Sequence, residues 1–112
     1  MPLDDTGRLR HMLDAALEAQ TFMKDITQES LREDRKTAQA VIRSIEVIGE
    51  AAVNVSKEFK EMHPDIPWKK IAGMRNWLIH AYFDVDYNHI WSTVQKDLPV
   101  LVPQLKKLLN EG

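Results

Sequence analysis

An all-α bundle, four or five helices running up and down antiparallel with short loops, is the fold class this sequence predicts. Three observations carry that prediction. Apolar residues recur at i, i+3, i+4 and i+7 through most of the chain. Turn chemistry is confined to short stretches, with no glycine-rich linker, repeat or low-complexity tract. The 112 residues, 44% hydrophobic and 29% charged, suffice for one helical domain over residues 1–112 and are too few for two.

The first helix reads as residues 6–26. Asp4, Asp5 and Thr6 supply caps and favourable charge at its start. Leu9, Met12, Leu13, Ala16, Leu17, Met23 and Ile26 form its buried face, and Thr27 to Glu29 is a bend. A second, longer helix is predicted from about Ser30 to Glu61. Its stripe of Leu31, Ala38, Val41, Ile42, Ile45, Ile48, Gly49 and Ala52 falls within roughly 120°. Val47 lies opposite and Val55 at the edge, so the middle is apolar on more than one side. Such a helix is central to the bundle or covered by another chain. Gly49 costs about 1 kcal/mol in a helix interior, and the expected return is close approach of a neighbouring helix.

His63-Pro64-Asp65-Ile66-Pro67 ends that helix and starts a third, with Asp65 as the expected N-cap and Pro67 in the first turn. The third helix carries Trp68, Ile71, Met74 and Leu78 and ends near His80 to Tyr82. Phe83 to Asp86 connects to a fourth, about Tyr87 to Lys96, capped by Asp86. Pro99 kinks or restarts it, and Leu98, Leu101, Val102, Leu105, Leu108 and Leu109 give a last amphipathic segment.

Composition removes several function classes. A net charge of −2 advertises no nucleic acid globally, so any RNA contact must come from a local basic patch. The absence of cysteine removes disulfides, thiolate metal sites and cysteine nucleophiles. Met-Pro-Leu-Asp-Asp-Thr is not a signal peptide and no run reaches membrane-spanning length, so a cytoplasmic location is the default expectation. The four histidines have no metal-ligand spacing. Asp84-x-Asp86-x-Asn88 imitates a calcium loop, but His89 replaces the required glycine and Gln95 the required glutamate, so no metal is expected. Met12, Met23, Met62 and Met74 read as core filler.

The chemistry-bearing stretch is Gly73-Met74-Arg75-Asn76-Trp77-Leu78-Ile79-His80-Ala81-Tyr82. Arginine holds phosphate through a fixed fork of donors, and histidine suits proton transfer near neutral pH. On a regular helix Asn76 and His80 share a face, whereas Arg75 and His80 stand about 140° apart. One chain therefore gives a scattered set; two chains about a symmetry axis gather two Arg and two His into one cleft. That geometry is the reason to expect a homodimer. By residue type alone, Arg75 is a surface ion-pair former, His80 a hydrogen-bonded bundle histidine, and Tyr82 a helix-end tyrosine with a wet hydroxyl.

Other charged residues are less specific. Glu46 and Glu50, i and i+4 near Arg43, either hold Arg75 or His80 from the second helix or form an exposed charge ladder. Arg32, Arg35, Lys36 and Arg43 make a basic strip, interrupted by Glu29, Glu33 and Asp34 and so readable as a solvated face. Lys69 and Lys70 precede the motif and, with Arg43, are the candidates for RNA phosphates.

The spacing R-x4-H-x-Y resembles the signature of the HEPN superfamily, and the wording around it resembles the HepT toxins of HepT–MNT toxin–antitoxin pairs. Residues 66–86, from Ile66-Pro67-Trp68 through Asp84-Val85-Asp86, are similar to the family's core block. Residues 40–52, Ala40-Val41-Ile42-Arg43-Ser44-Ile45-Glu46-Val47-Ile48-Gly49-Glu50-Ala51-Ala52, resemble its second-helix block. Trp91 and Asp97-Leu98-Pro99 resemble its C-terminal pattern. The resemblance implies a HEPN-like homodimeric bundle and a metal-independent endoribonuclease. Arg75 and His80 are then catalytic at the dimer cleft, with Asn76 and Glu46 in support. It implies an RNA substrate, tRNA being one class, and no resident cofactor. It also implies that an MNT-type nucleotidyltransferase antitoxin uses ATP to transfer AMP to Tyr82. The alternative is a non-catalytic HEPN module that binds nucleotide or a partner through the same cleft. A third reading is a structural dimer in which Arg75 and His80 are dispensable.

Overall fold

A computed structural model describes residues 4–76 and 85–110. Among these residues all regular structure is helical. Helix α1 (Asp5–Phe22) begins as its composition predicts, with Asp4 accepting from the Gly7 N–H at 2.8 Å. It ends four residues before the expected Ile26: Thr21 Oγ1 donates back to the Leu17 carbonyl at 2.9 Å, and the chain turns through Asp25 at φ 62°, a left-handed conformation aspartate tolerates.

The predicted helix from Ser30 to Glu61 is instead three helices. Thr27 and Ser30 exchange capping hydrogen bonds and open the short α2 (Gln28–Arg32). Asp34 caps α3 (Arg35–Val53), accepting from the Thr37 hydroxyl at 2.6 Å and N–H at 3.0 Å. These two bonds hold the Asp34 carboxyl below its ordinary pKa. Asn54 donates to the Glu50 carbonyl where α3 ends, and Ser56 caps α4 (Lys57–Met62). A side-chain oxygen that satisfies a backbone N–H lets the chain restart a helix at a new angle without losing its bonds.

Ser56 carries a second bond of longer range. The Asp5 carboxylate accepts from the Ser56 hydroxyl at 2.6 Å and its N–H at 2.8 Å, which clamps the start of α1 to the α3–α4 junction. The hydroxyl bond first, then the backbone bond, lowers the Asp5 pKa.

Helix α5 (Trp68–Ala72) starts at Pro67, not at Asp65. Crowding by the proline ring disfavours the helical conformation at the residue before it, Ile66, which works against a start at Asp65. Ile66 is buried, and Trp68 Nε1 donates to the His63 carbonyl at 2.9 Å. The helix then tightens into a 3₁₀ turn, Gly73–Asn76. The remainder of the expected third helix, Trp77 to Tyr82, lies outside the described residues.

Asp86 caps α6 (Tyr87–Ser92) as expected, accepting from the His89 N–H at 2.9 Å. The chain stays helical to α7 (Leu98–Leu108) through a π-helical turn, Thr93–Asp97, in which the Leu98 N–H reaches the Thr93 carbonyl. Pro99 thus falls in the first turn of α7, the position at which it was expected to restart the helix, directly after the widened turn. A widened turn is one way for a helix to absorb the clash between a proline ring and the preceding turn.

Helix α3 is central. It packs against α1, α5, the 3₁₀ turn and α6, while α1 also packs against α7. Leu9, Met12, Leu13, Val41, Ile42, Ile45, Ile48, Ile90, Leu98 and Leu105 form the closed core. Met12, Met23 and Met74 are core filler, but Met62, expected with them, is 72% exposed at the end of α4.

Candidate functional site

The Arg75 turn is held in place by a glycine. A Cβ at Gly49 would lie 2.3 Å from the Arg75 backbone nitrogen and 2.8 Å from the Met74 carbonyl carbon. Only a residue without a side chain lets the turn rest on α3 this closely. The close approach expected at Gly49 is thus with the motif itself. Met74 and Ile71 anchor the turn from beneath, and Arg75 and Asn76 are exposed.

Arg75 and Asn76 form one wall of a groove of about 680 Å³. Its floor is α3, with Arg43, Glu46 and Glu50 on the rim and Val47 and Ala51 between them. The opposite wall is α1, through Arg8 and His11. Arg43 donates to Glu46 at 2.8 Å; the arginine side chain is 68% exposed and the glutamate 15%. Glu46 lines the same groove as Arg75, with its described bond to Arg43. Among the described residues neither Arg8 nor Arg75 is salt-bridged. Three guanidinium groups face two carboxylates here, and one pair is already matched, so the groove carries local positive charge in a chain of net charge −2.

The 3₁₀ turn alters the geometry expected of the motif, because residues in such a turn follow three per turn instead of 3.6. His80 and Tyr82 lie outside the described residues. Of the RNA-contact candidates, Arg43 reaches the groove. Lys70 does not: it pairs with Asp97 at 3.2 Å and borders a different, mainly apolar depression with Ile71, Met74 and Val100. Lys69 is exposed and lines neither. In the basic strip, Arg32 donates to Asn88 at 2.6 Å and lies over the Tyr87 ring, tying α2 to α6.

Arg8 and His11 enter the groove unmarked by any motif. Their one local sign is an i, i+3 spacing on the polar side of α1, which is too common to single them out. Among the described residues no group of three or more potential ligands could hold a metal ion. No helix among them is long and apolar enough to cross a membrane.

Residues 12–108 match the family model described as "Ribonuclease HepT-like". The chain is 48% identical over 87 residues to a protein named probable ribonuclease HepT from Thermococcus cleftensis, covering 78% of this chain and 79% of that one. It is 47% identical over 89 residues to a candidate RNase of Caldanaerobacter subterraneus subsp. tengcongensis, covering 80% of each. A candidate RNase of Methanocaldococcus jannaschii is 39% identical over 99 residues, covering 88% and 87%. No solved structure matches significantly.

Proposed function

Since this chain belongs to the HepT-like ribonuclease family, we propose that it is a metal-independent endoribonuclease and the toxin of a toxin–antitoxin pair. The observation that carries this reading is the presentation of Arg75, backed against Gly49, into a groove with an excess of guanidinium groups.

In the proposed reaction the ribose 2′-oxygen attacks the adjacent phosphorus. His80 takes the 2′-hydroxyl proton or protonates the departing 5′-oxygen. The new P–O2′ bond forms as the P–O5′ bond breaks, leaving a 2′,3′-cyclic phosphate and a 5′-hydroxyl. Arg75 stabilises the charge that builds on the pentavalent phosphorus. Asn76 orients His80 or bonds the phosphate, and Glu46 fixes the floor through Arg43. Base and acid are both needed, and one His80 per chain supplies one of them. A homodimer supplies the second, and the two copies share the cleft.

Regulation falls to Tyr82. An MNT-type nucleotidyltransferase antitoxin transfers AMP from ATP to its hydroxyl, releasing pyrophosphate. The bulky anionic adduct blocks the cleft and competes with RNA for Arg75. The test is cleavage of total RNA by the purified, unmodified protein in EDTA, beside His80→Ala. Cleavage by the first alone supports the reading. An intact protein whose mass excludes an adduct and which leaves RNA uncut would refute it.

A further inference from the structure

We infer that Arg8 and His11 of α1 are RNA-contacting residues that bind the nucleotide next to the one engaged at Arg75. The inference rests on the ribonuclease reading and deepens it by giving the groove a second wall and a second subsite.

Three features of the groove carry it. First, the wall is rigid. Arg8 directly precedes Leu9 and His11 precedes Met12, both buried in the core, so the backbone under each polar side chain cannot drift. The Asp5–Ser56 clamp, one turn earlier, fixes this end of α1 against the end of α3. Second, charge is distributed across the groove. Arg43 is matched by Glu46, which leaves Arg8 and Arg75 on opposite walls, with Glu50 the remaining carboxylate of the groove and Asp5 near Arg8, and each guanidinium able to take a phosphate. Third, the floor between them carries an apolar contact point among its charged residues. The half-buried Val47 offers an apolar contact for an unstacked base, and His11 at the groove's edge offers an aromatic ring to stack against. Phosphates at the rims and a base on the floor is how single-stranded RNA is held.

The probe is a fluorescein-labelled, 2′-O-methylated oligoribonucleotide of mixed sequence, which has no nucleophile with which to cleave itself. Its dissociation constant is measured against salt for wild type, Arg8→Ala, Arg8→Lys, His11→Ala and, as a charge-matched control away from the groove, Lys24→Ala. Thermal melting confirms that each variant is folded. Arg8→Ala is expected to weaken binding about tenfold and lower the log–log salt slope by about one, the signature of one lost phosphate contact. Arg8→Lys restores the slope. His11→Ala weakens binding about tenfold, as loss of one stacked base does, and leaves the slope unchanged. Cleavage by the same variants with unmodified RNA shows KM rising more than kcat falls. Folded Arg8→Ala and His11→Ala that bind like Lys24→Ala, or wild type that does not bind the probe, would overturn the inference. Wild type that binds through Arg8 yet leaves RNA uncut in EDTA would overturn the reaction and uphold the subsite.

Discussion

At Gly49 two effects of opposite sign compete. Alanine is favoured over glycine in a helix interior by about 1 kcal/mol. Here, however, the new methyl meets the Arg75 backbone nitrogen at 2.3 Å, and backbone cannot rotate aside as a side chain can. Overpacking of this kind costs about 1–3 kcal/mol, so the clash wins. Gly49→Ala is expected to lower the melting temperature and, measured well below it, to reduce RNA cleavage at least tenfold, since the turn that presents Arg75 must shift. A variant that melts and cleaves like wild type would show that this contact does not position Arg75. The helical stripe marks Gly49 as a point of close approach from sequence alone. It does not name the neighbour, because contacts between distant segments leave no mark in a local period.

The breaks between elements were harder to read than the elements. Leu31, Ala38, Val41, Ile45, Ile48 and Ala52 keep one helical rhythm across the end of α2, and Phe59 continues to pack on the core beyond α3. Separate helices lying on one core preserve a common stripe, so periodicity sees through the cuts. The cuts are written in Asp34 with Thr37 and in Ser56, cap residues that propensity alone weighs lightly. The Asp5 clamp binds two of these pieces and makes their junction sensitive to acid. The bond needs a carboxylate, and the folded-state pKa of Asp5 is lowered from its ordinary 3.8. Its stabilising contribution is therefore complete above the ordinary value and is lost as the pH falls through the lower folded one. Asp5→Asn should melt below wild type at neutral pH, with the gap closing as acid titrates the wild-type carboxyl. Melting curves between neutrality and strong acid check this; a gap that persists unchanged into acid would contradict the clamp.

At the scale of the molecule, the fold class and the Arg75–Asn76 wall of the groove were legible, because helical period and a dense local motif both survive in a linear string. The α1 wall was not, because Arg8 and His11 meet the motif only in three dimensions. Lys69 and Lys70 show the converse: nearness in sequence suggested a shared site, yet Lys70 faces Asp97 on another side. On the proposed homodimer, whose cleft uses the two copies of His80 as base and acid, adding excess His80→Ala to wild type should lower cleavage below simple dilution as subunits exchange, because each mixed dimer keeps one of the two histidines. Cleavage that falls only in proportion to dilution, under conditions where exchange is demonstrated, would mean that the chains do not share their histidines. The π-helical turn has a consequence for how this chain tolerates length change. On an unbroken α-helix, Ile90, Thr93 and Val94 would point about 80° away from Leu98, Leu101, Val102 and Leu105, yet all seven are buried. Holding one extra residue in a single turn rotates the second group back by roughly 100°, so the turn amounts to an insertion that keeps the two halves in phase. Removing the exposed Gln95 should keep the two buried groups in phase, at the cost that Pro99 imposes on an unbroken helix, whereas removing Asp14 from α1 should send half of that helix's apolar face to solvent.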